Sequence, residues 1–147
     1  MAIRTIQATD YEKLVSLYKK FFKTHNRFQQ SEEEIILYLK KQEHPLFIFE
    51  EQGQIRGGLF LVKKTQNPTH SIWKFRHFAF EDDAVASELL TFAEQKIQES
   101  PGTNKVELTI AETEDEVDFY QSKGYEREAI LKNHYRAGES CFILSKY

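Results

Sequence analysis

The chain has 147 residues, a length typical of one domain, and its formal net charge is −3. Its lysines are interspersed with acidic residues along the sequence. This charge pattern disfavours nucleic-acid binding, and a single cysteine, Cys141, excludes an internal disulfide framework or a cysteine-rich zinc site. The start of the chain has no long apolar run, so we expect no signal peptide, no membrane contact and a cytoplasmic location.

The first part of the chain predicts a strand followed by two helices. Residues 3–8 alternate as in a strand, and Thr9 with Glu12 forms a capping box that opens a helix. Its apolar positions recur at helical spacing: Tyr11, Leu14, Val15, Tyr18 and Phe22. A second capping box, Ser31 with Glu34, opens the next helix.

The middle of the chain predicts three strands and a helix. Residues 46–64 form a hairpin that turns at Gln52–Gly53, and residues 71–80 form a third strand. An acidic stretch at residues 81–83 leads into a helix that ends before Pro101–Gly102.

The last part predicts a strand, a helix and two more strands. Residues 105–112 form the strand, and Thr113 with Glu116 caps a helix that ends near Gly124. The last two strands lie within residues 127–135 and 140–147. The order is β-α-α-β-β-β-α-β-α-β-β, which predicts an α/β fold with a mixed, mostly antiparallel central sheet flanked by helices. The strands at 71–80 and 105–112 should pair in parallel across their helix.

This order, together with the segment "EVDFYQSKGYEREAILKNHYRAGESCFILSK", resembles the GCN5-related N-acetyltransferase (GNAT) superfamily. Members commonly show a tyrosine, three residues, glycine and an aromatic, followed by a strand, a short turn and a final apolar strand. Tyr120, Gly124 and Tyr125 fit this pattern. The resemblance implies a single N-acetyltransferase-like domain over residues 1–147.

The resemblance also implies a reaction. An acetyl group moves from acetyl-CoA to an amine of a small molecule or a protein, by direct attack in a ternary complex without a metal. Tyr120 matches the residue that commonly protonates the departing thiolate, which a phenol with a reference pKa of about 10 is able to do. The structural alternative is that Tyr120 is a packing ring beside Val117 on one helix face.

The family binds the coenzyme diphosphate at the start of a helix, and here the resemblance is imperfect. It assigns cofactor contacts to Phe78 and Phe80 on the preceding strand, to Thr113, and to the helix start at Ala84, Val85, Ala86 and Ser87. Glu81 occupies the position that is usually basic, and Asp82 and Asp83 follow it. One carboxylate ~5 Å from a phosphate costs roughly 3 kcal/mol at an effective dielectric of 20.

Two interpretations therefore stay open. The chain is an acetyltransferase with a divergent diphosphate site, or it is a binding or regulatory module of the same fold that has lost CoA binding. The acids also suit an ordinary helix start, where an aspartate caps the amides that a phosphate would use. Thr113 is likewise explained as a helix cap.

Candidates for the general base are His77 and Glu112, since the attacking amine needs a proton acceptor. Strand alternation predicts that His77 points away from the core helices if Phe78 and Phe80 face them. His134 and Tyr135, at the last hairpin, are candidates for binding the acceptor. The aromatic final strand leaves a homodimer open.

Overall fold

The computed structural model describes residues 2–22, 26–112, 116–134 and 136–147, and the statements below concern these residues. The helices are α1 (Tyr11–Phe21), α2 (Glu32–Lys40), α3 (Asp83–Gln98) and α4 (Glu116–Ser122). The strands are β1 (Ile3–Thr5), β2 (Leu46–Glu51), β3 (Gln54–Asn67), β4 (His70–Phe80), β5 (Thr103–Ala111), β6 (Glu126–Lys132) and β7 (Ser140–Lys146). None of the described helices is long and apolar enough to cross a membrane.

The predicted order of elements and the predicted fold class are confirmed. Seven strands form one sheet in the order β1-β2-β3-β4-β5-β7-β6, which helices flank. The β1–β2, β2–β3, β5–β7 and β6–β7 pairs are antiparallel. The β4–β5 pair is parallel, as expected for strands joined by a helical crossover.

The chain forms two compact units. The first contains residues 1–62 and 75–96, and the second contains residues 63–74 and 97–147. The single domain over residues 1–147 stays a prediction.

The core of the first unit is built by α1 and α2 against β2, β3 and the end of β4. The apolar stripe predicted for α1 is buried at Leu14, Val15 and Tyr18. These side chains join a cluster that also contains Phe28, Ile35, Leu39, Leu46, Ile48, Ile55, Phe60, Val62 and Ala79. Burial of this stripe holds α1 on the sheet, since hydrophobic burial stabilises by about 25 cal/mol for each Å² removed from water.

The start of α1 differs from the capping box that the sequence predicted. A 3-10 turn at Ala8–Asp10 precedes α1, and Asp10 replaces Thr9 as the residue at the helix boundary. Oδ2 of Asp10 accepts the backbone N–H of Gln7 at 2.7 Å and an Arg4 N–H at 2.7 Å. The Asp10 carboxylate accepts hydrogen bonds from a charged side chain and from a backbone N–H. Because the carboxylate is charged, these hydrogen bonds are stronger than those that the Thr9 hydroxyl would form.

The capping box predicted for α2 is confirmed, because Oγ of Ser31 accepts the backbone N–H of Glu34 at 3.2 Å. Thr113, which was predicted to form a capping box with Glu116, lies outside the described residues.

The core of the second unit lies along β5 and β7. Its buried side chains include Val106, Leu108, Ile110, Cys141 and Leu144. β7 lies between β5 and β6, while β6 is the edge strand and leaves Ile130 about half exposed.

The Arg4–Asp10 pair predicts a pH dependence of stability. The hydrogen bond from Arg4 lowers the pKa of Asp10, so the folded protein binds its proton less readily than the unfolded chain. Asp10 therefore stabilises the folded state above the unfolded pKa of about 3.9 and loses this contribution as the pH falls through the lower folded value.

We expect Asp10→Asn to flatten the fall in unfolding free energy below about pH 4, measured by urea denaturation at several pH values. The exposed Glu12→Gln, on the same helix, is the control. Equal acid slopes in wild type and Asp10→Asn would contradict this role.

Candidate active site

A β-bulge in β3 directs Arg56 toward the start of α3. Phe49 pairs with Gly57 and Glu50 pairs with Ile55, so Arg56 is the extra residue between the two registers. Bulges commonly redirect a side chain in this way. The backbone carbonyl of Arg56 also accepts the N–H of Glu81 at 2.9 Å, which ties β3 to the first residue of the loop between β4 and α3.

The next residue, Gly57, lets the first turn of α3 lie close to β3. A Cβ atom at Gly57 would lie 2.6 Å from Cδ1 of Leu89 and 2.7 Å from Cγ1 of Val85. Such distances are far inside normal contact, so only glycine allows this approach without a shift of both side chains. The absence of a side chain at Gly57 therefore permits the close packing of α3 against β3.

Arg56 holds the acidic residues in front of α3. Its guanidinium donates to Glu51 at 2.6 Å, to Glu81 at 2.9 Å and to Asp82 at 3.0 Å. The Glu81 and Glu51 hydrogen bonds raise the pKa of Arg56 above its already high value, so the group is permanently cationic. The acidic loop is thus partly neutralised by a cation that comes from another strand.

Asp82 caps α3. Its Oδ1 accepts the N–H of Val85 at 2.9 Å while Oδ2 binds Arg56, and its carbonyl accepts the N–H of Ala86 at 3.1 Å. The sequence left open whether the acids form an ordinary helix cap or a ligand-binding loop. The cap is formed, so the amides of Val85 and Ala86 already have acceptors.

The cofactor-binding residues predicted at this place lie together at the end of β4 and the start of α3. Ala84 is exposed, whereas the side chains of Val85 and Ala86 are buried and leave only their backbone for a ligand. Phe78 is largely buried, and the ring of Phe80 lies 4.9 Å from that of Phe21 in α1. Ser87 lines a separate cavity of about 480 Å³ together with Ala2 and Ile3.

His77 does not point where strand alternation predicted. Its φ is 50°, a left-handed conformation that is uncommon for histidine and breaks the alternation of β4. His77 and Phe80 therefore lie on the same side of the sheet. The centroid of the His77 ring is 6.2 Å from the ring centroids of Tyr18 in α1 and of Phe22, which directly follows α1. Phe80 contacts Phe21 of the same helix. The expectation that His77 faces away from the core helices was wrong.

His77 is paired with Tyr38 of α2. Nε2 of His77 and Oη of Tyr38 are 2.7 Å apart, and the guanidinium of Arg27 lies 4.1 Å above the Tyr38 ring. Close by, Oη of Tyr18 is fully buried and has no hydrogen-bond partner among the residues that the structure describes. Burial raises the pKa of Tyr18, and the neighbouring Tyr38 adds to this effect, so Tyr18 stays a neutral phenol. The Tyr38–His77 pair thus lies in an aromatic surrounding.

In the second unit, the motif that contains Tyr120 forms the C-terminal cap of α4. The N–H of Tyr125 binds the carbonyl of Tyr120 at 3.0 Å, and the N–H of Gly124 binds that of Gln121 at 3.2 Å. Gly124 has φ 96°, and the rings of Tyr120 and Tyr125 are 5.5 Å apart. This is a Schellman cap with its usual apolar contact across the helix end.

The cap explains why the spacing tyrosine, three residues, glycine, aromatic recurs as a unit. It places Tyr120 at 5 % exposure, so its ring is part of the core of the second unit. The ring of Tyr120 is therefore packed in the core of the second unit, and the catalytic role of its hydroxyl stays a prediction.

The remaining predicted residues lie near the β6–β7 hairpin or outside the described chain. Glu112 follows β5, and its Oε1 accepts the N–H of Ser140 at 3.0 Å, which joins the end of β5 to the start of β7. His134 is exposed in the β6–β7 turn. Thr113 and Tyr135 lie outside the described residues. In the described part of the chain, no group of three or more metal-ligating side chains is arranged to hold a metal ion.

Sequence reasoning missed Arg56 and Tyr38. Arg56 lies next to two glycines in "QIRGGLF", a combination typical of a bulge, which was the available signal. Tyr38 lies on α2 and is partly buried against the core of the first unit. No local pattern links it to His77, which is 39 residues away.

Comparisons with known proteins agree with this architecture. Residues 3–142 match the family model described as "Acetyltransferase (GNAT) domain". No protein of curated function matches the sequence significantly.

Three solved structures illustrate the similarity of the fold. The aminoglycoside 6'-N-acetyltransferase from Enterococcus faecium is 13 % identical with a TM-score of 0.79, and the match covers 99 % of this chain and 96 % of that one. An aminoglycoside 6'-N-acetyltransferase complexed with coenzyme A gives the same values. A ribosomal-protein-alanine N-acetyltransferase from Brucella melitensis is 14 % identical with a TM-score of 0.68, and the match covers 99 % of each chain. At these identities the likeness concerns the fold.

The cap at Asp82 predicts a local effect on stability. Asp82→Ala should lower the unfolding free energy by about 1 kcal/mol, because the Val85 amide loses its acceptor and Arg56 loses one exposed ion pair. Asp83→Ala is the matched control, since Asp83 is the exposed neighbour in the same turn. Urea denaturation checks both variants, and equal stability of the two would contradict the capping role.

Proposed function

The chain belongs to the GNAT acetyltransferase family, and from this membership we propose that it is an N-acetyltransferase that moves an acetyl group from acetyl-CoA to an amine. Acetyl-CoA supplies the activated acetyl group. The single observation that carries the proposal is the family match over residues 3–142. The protein's own task is to bind the coenzyme phosphates, orient the thioester and move two protons.

The residues at the start of α3 fit a coenzyme site only in part. The helix start supplies amides that favour an anion, and the exposed Ala84 leaves the first turn accessible. Against this, Asp82 occupies the Val85 amide, and Glu81 and Asp83 add negative charge. Arg56 offsets part of this charge through its pairs with Glu81 and Asp82. We therefore propose that the phosphates contact the first exposed turn of α3, with Phe78 and Phe80 beside the coenzyme.

Tyr120 is the proposed acid. Its Oη–H donates the proton to the coenzyme sulfur as the bond between the acetyl carbon and sulfur breaks. A phenol stays protonated at neutral pH, so the donor is ready before the reaction begins. The Schellman cap supports this role, because it fixes the ring through Gly124 and Tyr125 and thereby fixes the direction of the hydroxyl.

The proposed base is His77 acting with Tyr38. Oη of Tyr38, which is only partly buried, accepts the proton of the attacking amine while it donates its own proton to Nε2 of His77. The 2.7 Å distance between these two atoms permits the transfer. Glu112 is the weaker candidate, because its carboxylate already accepts the Ser140 amide.

The acceptor is proposed at the level of a chemical class. Structural neighbours act on an aminoglycoside or on a ribosomal-protein alanine, so an amine on a small molecule or a protein is the proposal for this chain. His134 and Tyr135 stay proposed acceptor contacts. A cytoplasmic location, homodimer formation and the absence of nucleic-acid and membrane partners stay predictions.

The second candidate function is a binding or regulatory module of the same fold without transferase activity. One observation favours it: Asp82 occupies the Val85 amide, at the start of the helix where a diphosphate is expected to bind. This candidate needs no proton transfer by Tyr120 or His77.

Binding of acetyl-CoA distinguishes the two candidates. We expect acetyl-CoA at a hundred times its dissociation constant to add about 2.7 kcal/mol to the unfolding free energy, measured by thermal shift and checked by calorimetry. Acetyl-pantetheine, which lacks the nucleotide, is the control ligand. No shift and no heat at millimolar acetyl-CoA would support the non-catalytic module.

Tyr120→Phe tests the proposed acid. We expect kcat to fall by about a hundredfold or more, with the dissociation constant of acetyl-CoA unchanged, because only proton transfer is removed. Tyr125→Phe is the matched control, as it removes a hydroxyl from the partner ring of the same cap. An unchanged kcat in Tyr120→Phe would leave Tyr120 with a packing role alone.

A further inference from the structure

The first unit encloses a hydroxyl group to which the described residues supply no partner. Tyr18 is fully buried, and its Oη forms no hydrogen bond within the part of the chain that the structure describes. An unpartnered phenol in a core costs free energy, so native proteins rarely keep one unless a bound water or a functional contact completes it. Tyr18 has no task in the reaction proposed above.

Tyr18 borders the proposed base from the side of α1. Its ring centroid is 6.2 Å from that of His77, and the ring of Tyr38 in α2 lies 5.6 Å from the same imidazole. Phe28 contacts both Tyr18 and His77, at 5.0 and 5.2 Å, and Phe60 lies 5.9 Å from His77. The two tyrosines thus face one imidazole inside a single aromatic cluster.

The backbone of His77 is held in an uncommon conformation that serves this grouping. Its φ of 50° lies in the left-handed region, which a histidine adopts where the surrounding packing determines it. Backbone strain of this kind is concentrated at functional sites. Here the strained residue places Nε2 at 2.7 Å from Oη of Tyr38.

The two tyrosine hydroxyls are complementary as a donor and an acceptor. When Tyr38 donates its proton to Nε2 of His77, its oxygen keeps lone pairs that accept further hydrogen bonds. Tyr18 keeps its own O–H, because burial and the neighbouring Tyr38 raise its pKa far above neutral pH. One water molecule is able to accept from the first hydroxyl and to donate to the second, and a buried water needs two to four such partners.

We propose that Tyr18 is a positioning residue of the base: its hydroxyl donates to one buried water, and this water donates to Oη of Tyr38. This inference deepens the proposed function and rests on it. A hydrogen bond received by Oη makes the O–H of Tyr38 a better donor to a neutral His77. It also competes with the hydrogen bond that a protonated His77 would donate to the same oxygen.

Both effects favour the neutral imidazole, which is the form that takes up the proton released by the attacking amine. Tyr18 neither gains nor loses a proton in this scheme. The amine proton passes to Oη of Tyr38 while the proton of Tyr38 passes to Nε2 of His77, and the water keeps its two hydrogen bonds throughout.

Two cations near the pair act in the same direction. The guanidinium of Arg27 lies 4.1 Å above the ring of Tyr38, and Arg76 directly precedes His77 on β4. Positive charge disfavours a protonated imidazole. The side chain that β3 presents to His77 is an uncharged phenylalanine. Both arginines are kept in the variants below, so a difference between variants reports the hydroxyl of Tyr18.

Titration of the histidine rings by nuclear magnetic resonance tests the proposal without any substrate. The His77 signal is identified by its loss in His77→Gln. In Tyr18→Phe we expect the titration midpoint of His77 to rise by about half a pH unit, since a hydrogen bond that favours the neutral ring is lost. Tyr11→Phe, which removes a hydroxyl from the same helix, is the matched control and should leave the midpoint unchanged.

Two further measurements use the same variants. The acid limb of the pH profile of kcat/KM should move to higher pH by the same amount in Tyr18→Phe, because this limb reports the base of the free enzyme. The urea midpoint of unfolding should fall in Tyr18→Phe, because the buried water loses a partner. Removal of a hydroxyl that had no partner would instead leave the urea midpoint unchanged or raise it.

The outcomes separate this inference from the proposed function. An unchanged His77 midpoint in Tyr18→Phe overturns the inference even if the variant is less stable, since a purely structural hydroxyl would not affect His77. A crystal structure of the wild-type protein without a water in hydrogen-bond distance of both hydroxyl oxygens overturns it as well. In either case acetyl-CoA binding and turnover still decide the transferase proposal. A shifted midpoint in a protein that binds no acetyl-CoA would support the link from Tyr18 to His77 while the transferase proposal fails.

Discussion

The close contact between Gly57 and the first turn of α3 is the constraint on which the candidate coenzyme site depends. Val85 and Leu89 occupy the space that any side chain at position 57 would need. The helix can therefore begin directly beside β3, within reach of the bulged residue Arg56. Its guanidinium then bridges Glu81 and Asp82, and Asp82 in turn caps the helix. Bulge, ion pairs and cap form one connected arrangement, so a change in any member is expected to alter the accessible first turn.

This arrangement changes how the acidic loop is understood. Considered alone, three carboxylates at the start of a helix would repel a bound diphosphate. In the folded chain, two of them share one permanently charged guanidinium, which also binds Glu51. Arg56 thereby reduces the repulsion that a phosphate at the exposed first turn of α3 would meet.

The motif at Tyr120 shows how one sequence pattern serves two purposes. The glycine with φ 96° and the contact between two tyrosine rings are what a Schellman cap requires. A residue at the third position from the end of such a helix is held rigidly, which is also what an acid catalyst needs. Structure alone therefore accounts for the pattern, and a catalytic role adds a demand only on the hydroxyl group of Tyr120.

The sequence by itself determined the order of elements, the hairpin at Gln52–Gly53, the cap at Ser31 and the parallel crossover, because periodicity, turn residues and helix caps act over a few residues. It also identified Tyr120 and the acidic loop as candidate parts of the site.

Tertiary structure decided the rest. The left-handed conformation of His77 reversed the side predicted from alternation and brought its ring to Tyr38. The pairing of Arg56 with Glu81 and Asp82 joins residues about 25 positions apart. Such contacts depend on register and on the space left by neighbouring side chains, which no local pattern in the sequence specifies.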